Sequence, residues 1–413
     1  MVRDFWVPLE WNVNMKCYSR RNFFKIVAAA GAGSIATTLA SKTTASDVPG
    51  PISKRPFGRT GIDVPILSFG GSLDVSFNRL LLKQAVKLGV TYWDTAANYM
   101  GGNSEKGFGK YFDKYPEDRK KIFLVTKSYG WSLEAMHSDL ERSLDRMQTD
   151  YIDLFFVHGI HSIDAMDDGI KRWGDKAKSA GKIRLFGFST HSNMEECLLA
   201  APKLGWIDGI MMTYNYRLMH TDRMRRAVDA CVEAGIGLTA MKTQGGGQVR
   251  TDSETELDMA GRFLQKGFTD AQAKLKAVWE NQNIASICSE MPNTSILIAN
   301  AAAARDANRL SEYDNQLLQR YASETASAYC TGCTRLCEST VKDNVPIGDI
   351  MRCLMYSRSY DARDRARSYF KSLAPDIRKR ISQANYTEAE QKCPQKMEIA
   401  RLMREAVNEL ATG

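Results

Sequence analysis

The chain has 413 residues, 44% of them hydrophobic and 25% charged, with a formal net charge of +8. The length exceeds one ordinary domain and suits a barrel of ~250 residues with additions, and the composition excludes a disordered or fibrous chain. No block of like charges runs beyond a few residues, so the positive excess, clearest in Arg363-Asp364-Arg365-Ala366-Arg367, reads as a solvated helix face and argues against a nucleic-acid partner.

The first element is a targeting segment. Ser19-Arg20-Arg21-Asn22-Phe23-Phe24-Lys25 precedes Ile26–Ala40, a mildly apolar run rich in Ala and Gly. A positive stretch, a short apolar stretch and small residues at its end define a secretory signal, and an arginine pair just before the apolar run points to the route that carries folded proteins. Cleavage is expected after Ala40 or Ala45, and Met15 is a candidate start. The alternatives are a cytoplasmic tail or a retained anchor. The run falls short of the ~20 apolar residues that a membrane span needs, so no stable membrane insertion is expected. Residues 1–45 are therefore read as a twin-arginine signal peptide, 46–315 as a barrel and 316–413 as a helical extension, with a periplasmic or other extracytoplasmic location.

Eight apolar, β-rich runs follow: 66–71, 90–95, 122–127, 151–158, 184–189, 209–214, 236–242 and 285–290. Separated mostly by helix-length segments, they predict an α/β fold, a closed (β/α)8 TIM barrel of parallel strands. The helical period is clearest over 131–147, where Leu133, Met136, Leu140, Leu144 and Met147 recur. Pro56–Val64 reads as a hairpin capping the barrel floor. A doubly wound sheet is the alternative, weakened by the absence of G-x-G-x-x-G after a first strand. Barrel active sites lie at the C-terminal strand ends, which singles out Asp94, Lys127, His158, Ser189 and Tyr214.

Asp94-Thr95-Ala96-Ala97-Asn98-Tyr99, Lys127 at the end of the next strand, Asp150-Tyr151-Ile152-Asp153-Leu154 running to His158, and Gly181-Lys182-Ile183-Arg184 with Gly187-Phe188-Ser189 together resemble the aldo-keto reductase family over about residues 54–310. The resemblance implies an oxidoreductase that interconverts carbonyl and alcohol with NAD or NADP, Tyr99 being the proton donor. A phenol has a pKa of ~10, and a nearby ammonium lowers it. Lys127 is that ammonium, Asp94 orients it, and His158 donates to the carbonyl oxygen. The plain alternative is a structural Asp94–Lys127 pair, with Tyr99 and His158 merely filling the mouth. His161 and His191 are expected to shape the pocket; His137 and His220 read as surface residues. The resemblance also assigns Ser189, Tyr214 and Asn300 to the cofactor.

The family pattern is incomplete in two places. Met211 stands where the family has a glutamine, three residues before Tyr214-Asn215. The phosphate-binding stretch, Ser289-Glu290-Met291-Pro292-Asn293-Thr294 to Asn300, lacks its glycine and its basic residue and carries Glu290, an acidic group that opposes a phosphate.

Nine cysteines with uneven spacing do not form a disulfide framework. Cys197, Cys231 and Cys288 read as buried thiols. Cys330, Cys333 and Cys337 form C-x2-C-x3-C, and Cys393 precedes Pro394. This resembles the ferredoxin-like end of one branch of the family and implies a 4Fe–4S cluster held by these four. Zinc, disulfides or unused thiols are the alternatives. Cys353 lies in an amphipathic helical stretch and reads as a core thiol. Two functions remain open: an oxidoreductase on a small carbonyl or alcohol, with an electron-transfer partner for the cluster, and an exported redox or binding protein that kept the barrel and lost dinucleotide turnover.

Overall fold

The computed structural model describes residues 51–411 except 131, 252 and 343. The expected signal segment, with its arginine pair and Cys17, lies outside the described residues. A short antiparallel hairpin opens the described chain, β1 (Lys54–Pro56) against β2 (Asp63–Pro65). Eight parallel strands then close into a barrel: β3 (Leu67–Gly70), β4 (Tyr92–Asp94), β5 (Phe123–Ser128), β6 (Ile152–Val157), β7 (Ile183–Thr190), β8 (Gly209–Thr213), β9 (Gly237–Met241) and β10 (Ser286–Glu290). Each pairs with the next, and β10 returns to β3. Every expected run is a strand, and the doubly wound alternative is excluded by that closure.

Strand period decides what enters the barrel. Tyr92, Phe123, Val125, Leu154, Phe156, Leu185 and Met211 point inward and form one apolar cluster. Their neighbours Trp93, Leu124, Phe155, Phe186 and Ile210 point outward into the layer beneath the helices. Phe57, fully buried, plugs the floor from the hairpin turn. Glycines begin β8 and β9 because the plug needs the room: a Cβ on Gly237 would stand 2.5 Å from the Phe57 ring, and one on Gly209 2.7 Å. A ring so buried contributes about 2–3 kcal/mol.

The helix after β5 runs Leu133–Met147, its first turn capped by the Ser132 side chain, which accepts from the Ala135 amide. Beyond the barrel the chain is helical. The last helix, Ile399–Leu410, shows why: Ile399, Leu402, Met403, Ala406 and Leu410 recur at helical spacing, and all are buried. They join Ile350, Leu354 and Phe370 in a second core, which belongs to the C-terminal region.

That region is tied to the barrel's upper rim by polar bonds. The helix Ile347–Ser359 reaches the loop after β9, where Arg358 donates to the Gln248 carbonyl at 3.0 Å and Ser359 to Gly247 at 2.6 Å. From the following helix, Arg363–Ser372, Arg365 bonds the Ser72 carbonyl beyond β3 and pairs with Glu290 of β10 at 2.9 Å. Near the cysteines, Asn193 after β7 accepts from the Arg335 amide at 2.9 Å, donates to Thr334 at 3.1 Å and bonds the Gly332 carbonyl through its own amide at 2.7 Å.

Candidate active site at the barrel mouth

Inward alternation carries past the apolar layer into a polar one. Continuing the sets Tyr92–Asp94, Phe123–Val125–Lys127, Leu154–Phe156–His158 and Leu185–Gly187–Ser189, the last member of each arrives inside the mouth. Lys127 Nζ lies 2.6 Å from Asp94 Oδ1, 2.7 Å from Oδ2 and 2.7 Å from the Thr95 carbonyl, with both side chains almost fully buried. Tyr99 is brought in by the short helical turn Tyr99–Gly102 just beyond β4. Its ring centre stands 4.9 Å from Lys127 Nζ and 5.6 Å from the His158 ring, edge to face. His158 also stacks on the Tyr129 ring, centre to centre 4.6 Å. Among the described residues His158 Nδ1 is buried with no hydrogen-bond partner, an unsatisfied polar atom of the kind that a ligand's polar group can pair with.

Electrostatics sets the protonation states. Burial, then the charges of Lys127, Arg352 and Lys242, hold His158 well below its usual pKa, so the ring is neutral near pH 7. Tyr99 departs from the expected lowering: burial first and the Asp94 carboxylate second push its phenol well above 10. Tyr99 is thus kept as a phenol, the form that gives a proton. Asp94 itself is raised by burial, an effect that Lys127 opposes.

Not every expected site residue reaches the mouth. Ser189 does; it is buried, and its hydroxyl accepts from the Gly159 amide at 2.9 Å. Tyr214 does not, and its assignment to the cofactor is corrected: with Met211 inward, period 2 turns Tyr214 outward, where its hydroxyl accepts from Asn281 at 2.8 Å in the outer layer. Asn300, on the helix Thr294–Arg305, donates to Ser289 at 3.1 Å and braces the end of β10. His161 is exposed. Cys288, expected to be a buried thiol, keeps accessible surface on the inward face of β10 beside Asp94.

His191, expected to shape the pocket, does lie there, with Nδ1 3.1 Å from Lys242 Nζ, and four groups that the sequence reading did not assign stand beside it: Lys242, Tyr356, Arg352 and Arg365. Tyr356 lies with its ring centre 5.4 Å from Lys242 Nζ. Arg352 comes from the same helix, pairing with Asp349 at 3.0 Å and donating to Tyr369 at 2.7 Å. Arg365 completes the set through Glu290. Glu290, which at the sequence level opposed a phosphate, is thus answered by a guanidinium from the C-terminal region. Of the four unassigned groups, only the strand-end position of Lys242 was a signal in the sequence.

The other face of the helix Ile347–Ser359 borders a cavity lined by Cys330, Cys333, Cys337 and Cys393 together with Ile347 and Met351. Cys353 is buried in the helical core. All eight described cysteines are free. Burial, with the mutual influence of neighbouring thiols, pushes Cys330 up to about 12 and Cys337 higher still. Among the described residues no three His, Cys, Asp or Glu side chains are gathered so as to hold a metal ion. No helix among the described residues is long and apolar enough to cross a membrane.

Sequence comparison matches residues 68–309 to the Aldo/keto reductase family. An aldo-keto reductase of Fusarium vanettenii is 28% identical over 192 residues, 38% of this chain and 52% of that protein. The uncharacterized oxidoreductase YqkF of Bacillus subtilis is 34% identical over 152 residues, 33% of this chain and 48% of that protein. The chain thus spans about half the length of these relatives. Among solved structures, an aldo-keto reductase from Klebsiella pneumoniae in complex with NADPH superposes with a TM-score of 0.54 at 24% identity, over 65% of this chain and 94% of that one. At that identity the likeness speaks for the fold alone.

Proposed function

Since the chain belongs to the aldo/keto reductase family, we propose that it is an oxidoreductase that reduces a small carbonyl compound with a nicotinamide dinucleotide. The observation that carries this is the convergence of Asp94, Lys127, Tyr99 and His158 on one space at the barrel mouth. The reacting end of the nicotinamide fits there: His158 has an unsatisfied nitrogen and the Ser189 hydroxyl is at hand for a carboxamide. The cofactor supplies the hydride when bound. His158, uncharged, donates to the substrate oxygen without placing a full charge beside it, and Tyr99 gives the proton that the resulting alkoxide requires. Lys127, held by Asp94, keeps positive charge near the oxygen as negative charge develops. The test is tryptophan-fluorescence quenching by NADH and NADPH, followed by aldehyde reduction. Binding and turnover that Tyr99→Phe abolishes support the reading.

Two finer parts of the proposal rest on other residues. The thiols of Cys330, Cys333, Cys337 and Cys393 share one cavity, a donor set that suits a 4Fe–4S cluster, which would supply single-electron chemistry and imply an electron-transfer partner. Export by the twin-arginine route is supported by Ser19–Lys25, and with it the limits 1–45, 46–315 and 316–413; Arg20→Lys with Arg21→Lys should leave precursor in the cytoplasm. A second reading, a redox or binding protein without dinucleotide turnover, is favoured by the Arg365–Glu290 pair across the stretch the family uses for phosphate. No quenching by either dinucleotide would select it.

A further inference from the structure

Every cation at the mouth but one has its own carboxylate. Lys127 has Asp94, Arg352 has Asp349 and Arg365 has Glu290. Lys242 has none: among the described residues its ammonium meets only His191 Nδ1, at 3.1 Å, and the Tyr356 ring. It follows β9, in which Thr239 and Met241 belong to the inward set, so simple alternation would send Lys242 outward. A left-handed backbone, with φ of 55°, breaks the alternation and returns the side chain to the mouth. That conformation is imposed by bonds to its carbonyl from Gly245 N at 3.1 Å and Asn215 Nδ2 at 3.1 Å, and Asn215 is itself held by the Tyr329 hydroxyl at 3.0 Å. A long side chain is thus directed, by a buried scaffold, into a place where it has no anion.

Lys242 and His191 are half-buried and keep some accessible surface. We propose that Lys242 and His191 form an oxyanion-binding site in the barrel mouth, which takes the carboxylate or phosphate group of the molecule bound beside Tyr99. Burial, together with the charges of Arg352, Arg365 and Lys127, pulls the ammonium well below its usual pKa, and an arriving anion reverses that by supplying the missing partner. Lys242 donates to the anion, and His191 Nδ1 orients the amine as an acceptor. Two sources offer this chemistry: the carboxylate of an oxo-acid substrate and the diphosphate of a dinucleotide. The inference deepens the proposed function and rests on it for the identity of the ligand, although anion binding is measurable without turnover.

The experiment is calorimetric titration of the full-length purified protein with oxalate and with inorganic pyrophosphate, for wild type, Lys242→Met and Lys242→Arg. At least one anion should bind wild type, Lys242→Met should weaken it tenfold or more, and Lys242→Arg should retain it in part. Preference for oxalate assigns the substrate carboxylate, and preference for pyrophosphate assigns the dinucleotide. Absence of binding by either anion, or equal binding by wild type and a Lys242→Met protein of native melting temperature, overturns the site. Aldehyde reduction persisting alongside that result would leave the proposed function standing, whereas anion binding without any reduction would remove the function and keep the site.

Discussion

Replacing Asp94 by Asn removes one charge from the buried pair while keeping the side chain's shape. At 2.6 Å, two unit charges attract by roughly 6 kcal/mol at an effective dielectric constant of about 20. Much of that offsets the desolvation of both ions, and removing one partner of such a pair typically costs 3–5 kcal/mol. Asn keeps an oxygen for Lys127 Nζ, and the Thr95 carbonyl remains at 2.7 Å, so about 3 kcal/mol is expected. For a chain of this size that corresponds to roughly 5–10 °C in melting temperature. Lys127 is left buried without its counter-charge and without the ion pair that fixes its position, so its charge is no longer held where the alkoxide develops. Carbonyl reduction should drop ~100- to 10,000-fold. The assay pairs thermal melting with steady-state reduction for Asp94→Asn, Lys127→Met and the double variant. The double variant should recover stability, since a neutral pair carries no unpaired charge, and should recover no activity. A melting temperature unchanged within 1 °C would refute the energetic argument. Full turnover in Asp94→Asn would show that the ammonium does not act on the reacting oxygen.

Tyr99→Phe should cost ~100- to 10,000-fold in reduction at neutral pH; because burial and Asp94 raise the phenol's pKa, wild-type reduction should show no alkaline loss from Tyr99 up to pH 9, and a fall centred near pH 7 assigned to Tyr99 by this variant would contradict that. Asp118 is raised by burial but brought down to about 2 by hydrogen bonds from Lys121, Tyr111 and Lys83. A depressed carboxyl stabilises the fold above its unfolded pKa of about 4, and the gain is lost as pH falls through 2. Asp118→Asn should therefore cost at most about 2 kcal/mol at pH 7 by denaturant unfolding, with the difference shrinking below pH 4. Cys393→Ser should abolish or destabilise the proposed cluster, read as iron, acid-labile sulfide and visible absorbance after anaerobic purification, while Cys353→Ser keeps it; the reverse pattern would exchange their roles, and stoichiometric zinc without sulfide would remove the cluster proposal.

The barrel was legible because parallel strands covered on both faces read as continuous apolar runs, and all eight runs proved to be strands. The four mouth residues were legible because a strand's period carries Asp94, Lys127, His158 and Ser189 to the same side as the apolar residues below them. Tyr214 shows how narrow that rule is: one step of alternation separates a mouth residue from one in the outer layer, and Met211 pointing inward decided the matter. What the sequence could not disclose depends on contacts between distant segments. Helical periodicity announced an apolar face on 349–356 but not what its polar neighbours would meet, so Arg352 and Tyr356 at the mouth were invisible. Glu290 read as a defect until Arg365, 75 residues later, was found beside it. Lys242 and His191 meet across 51 residues through a left-handed turn that Asn215 and Gly245 impose. Pattern along the chain determines which way a side chain leaves its own strand or helix; only packing between elements decides which charge it finds there, and at this barrel mouth that pairing sets the protonation states on which the proposed chemistry depends.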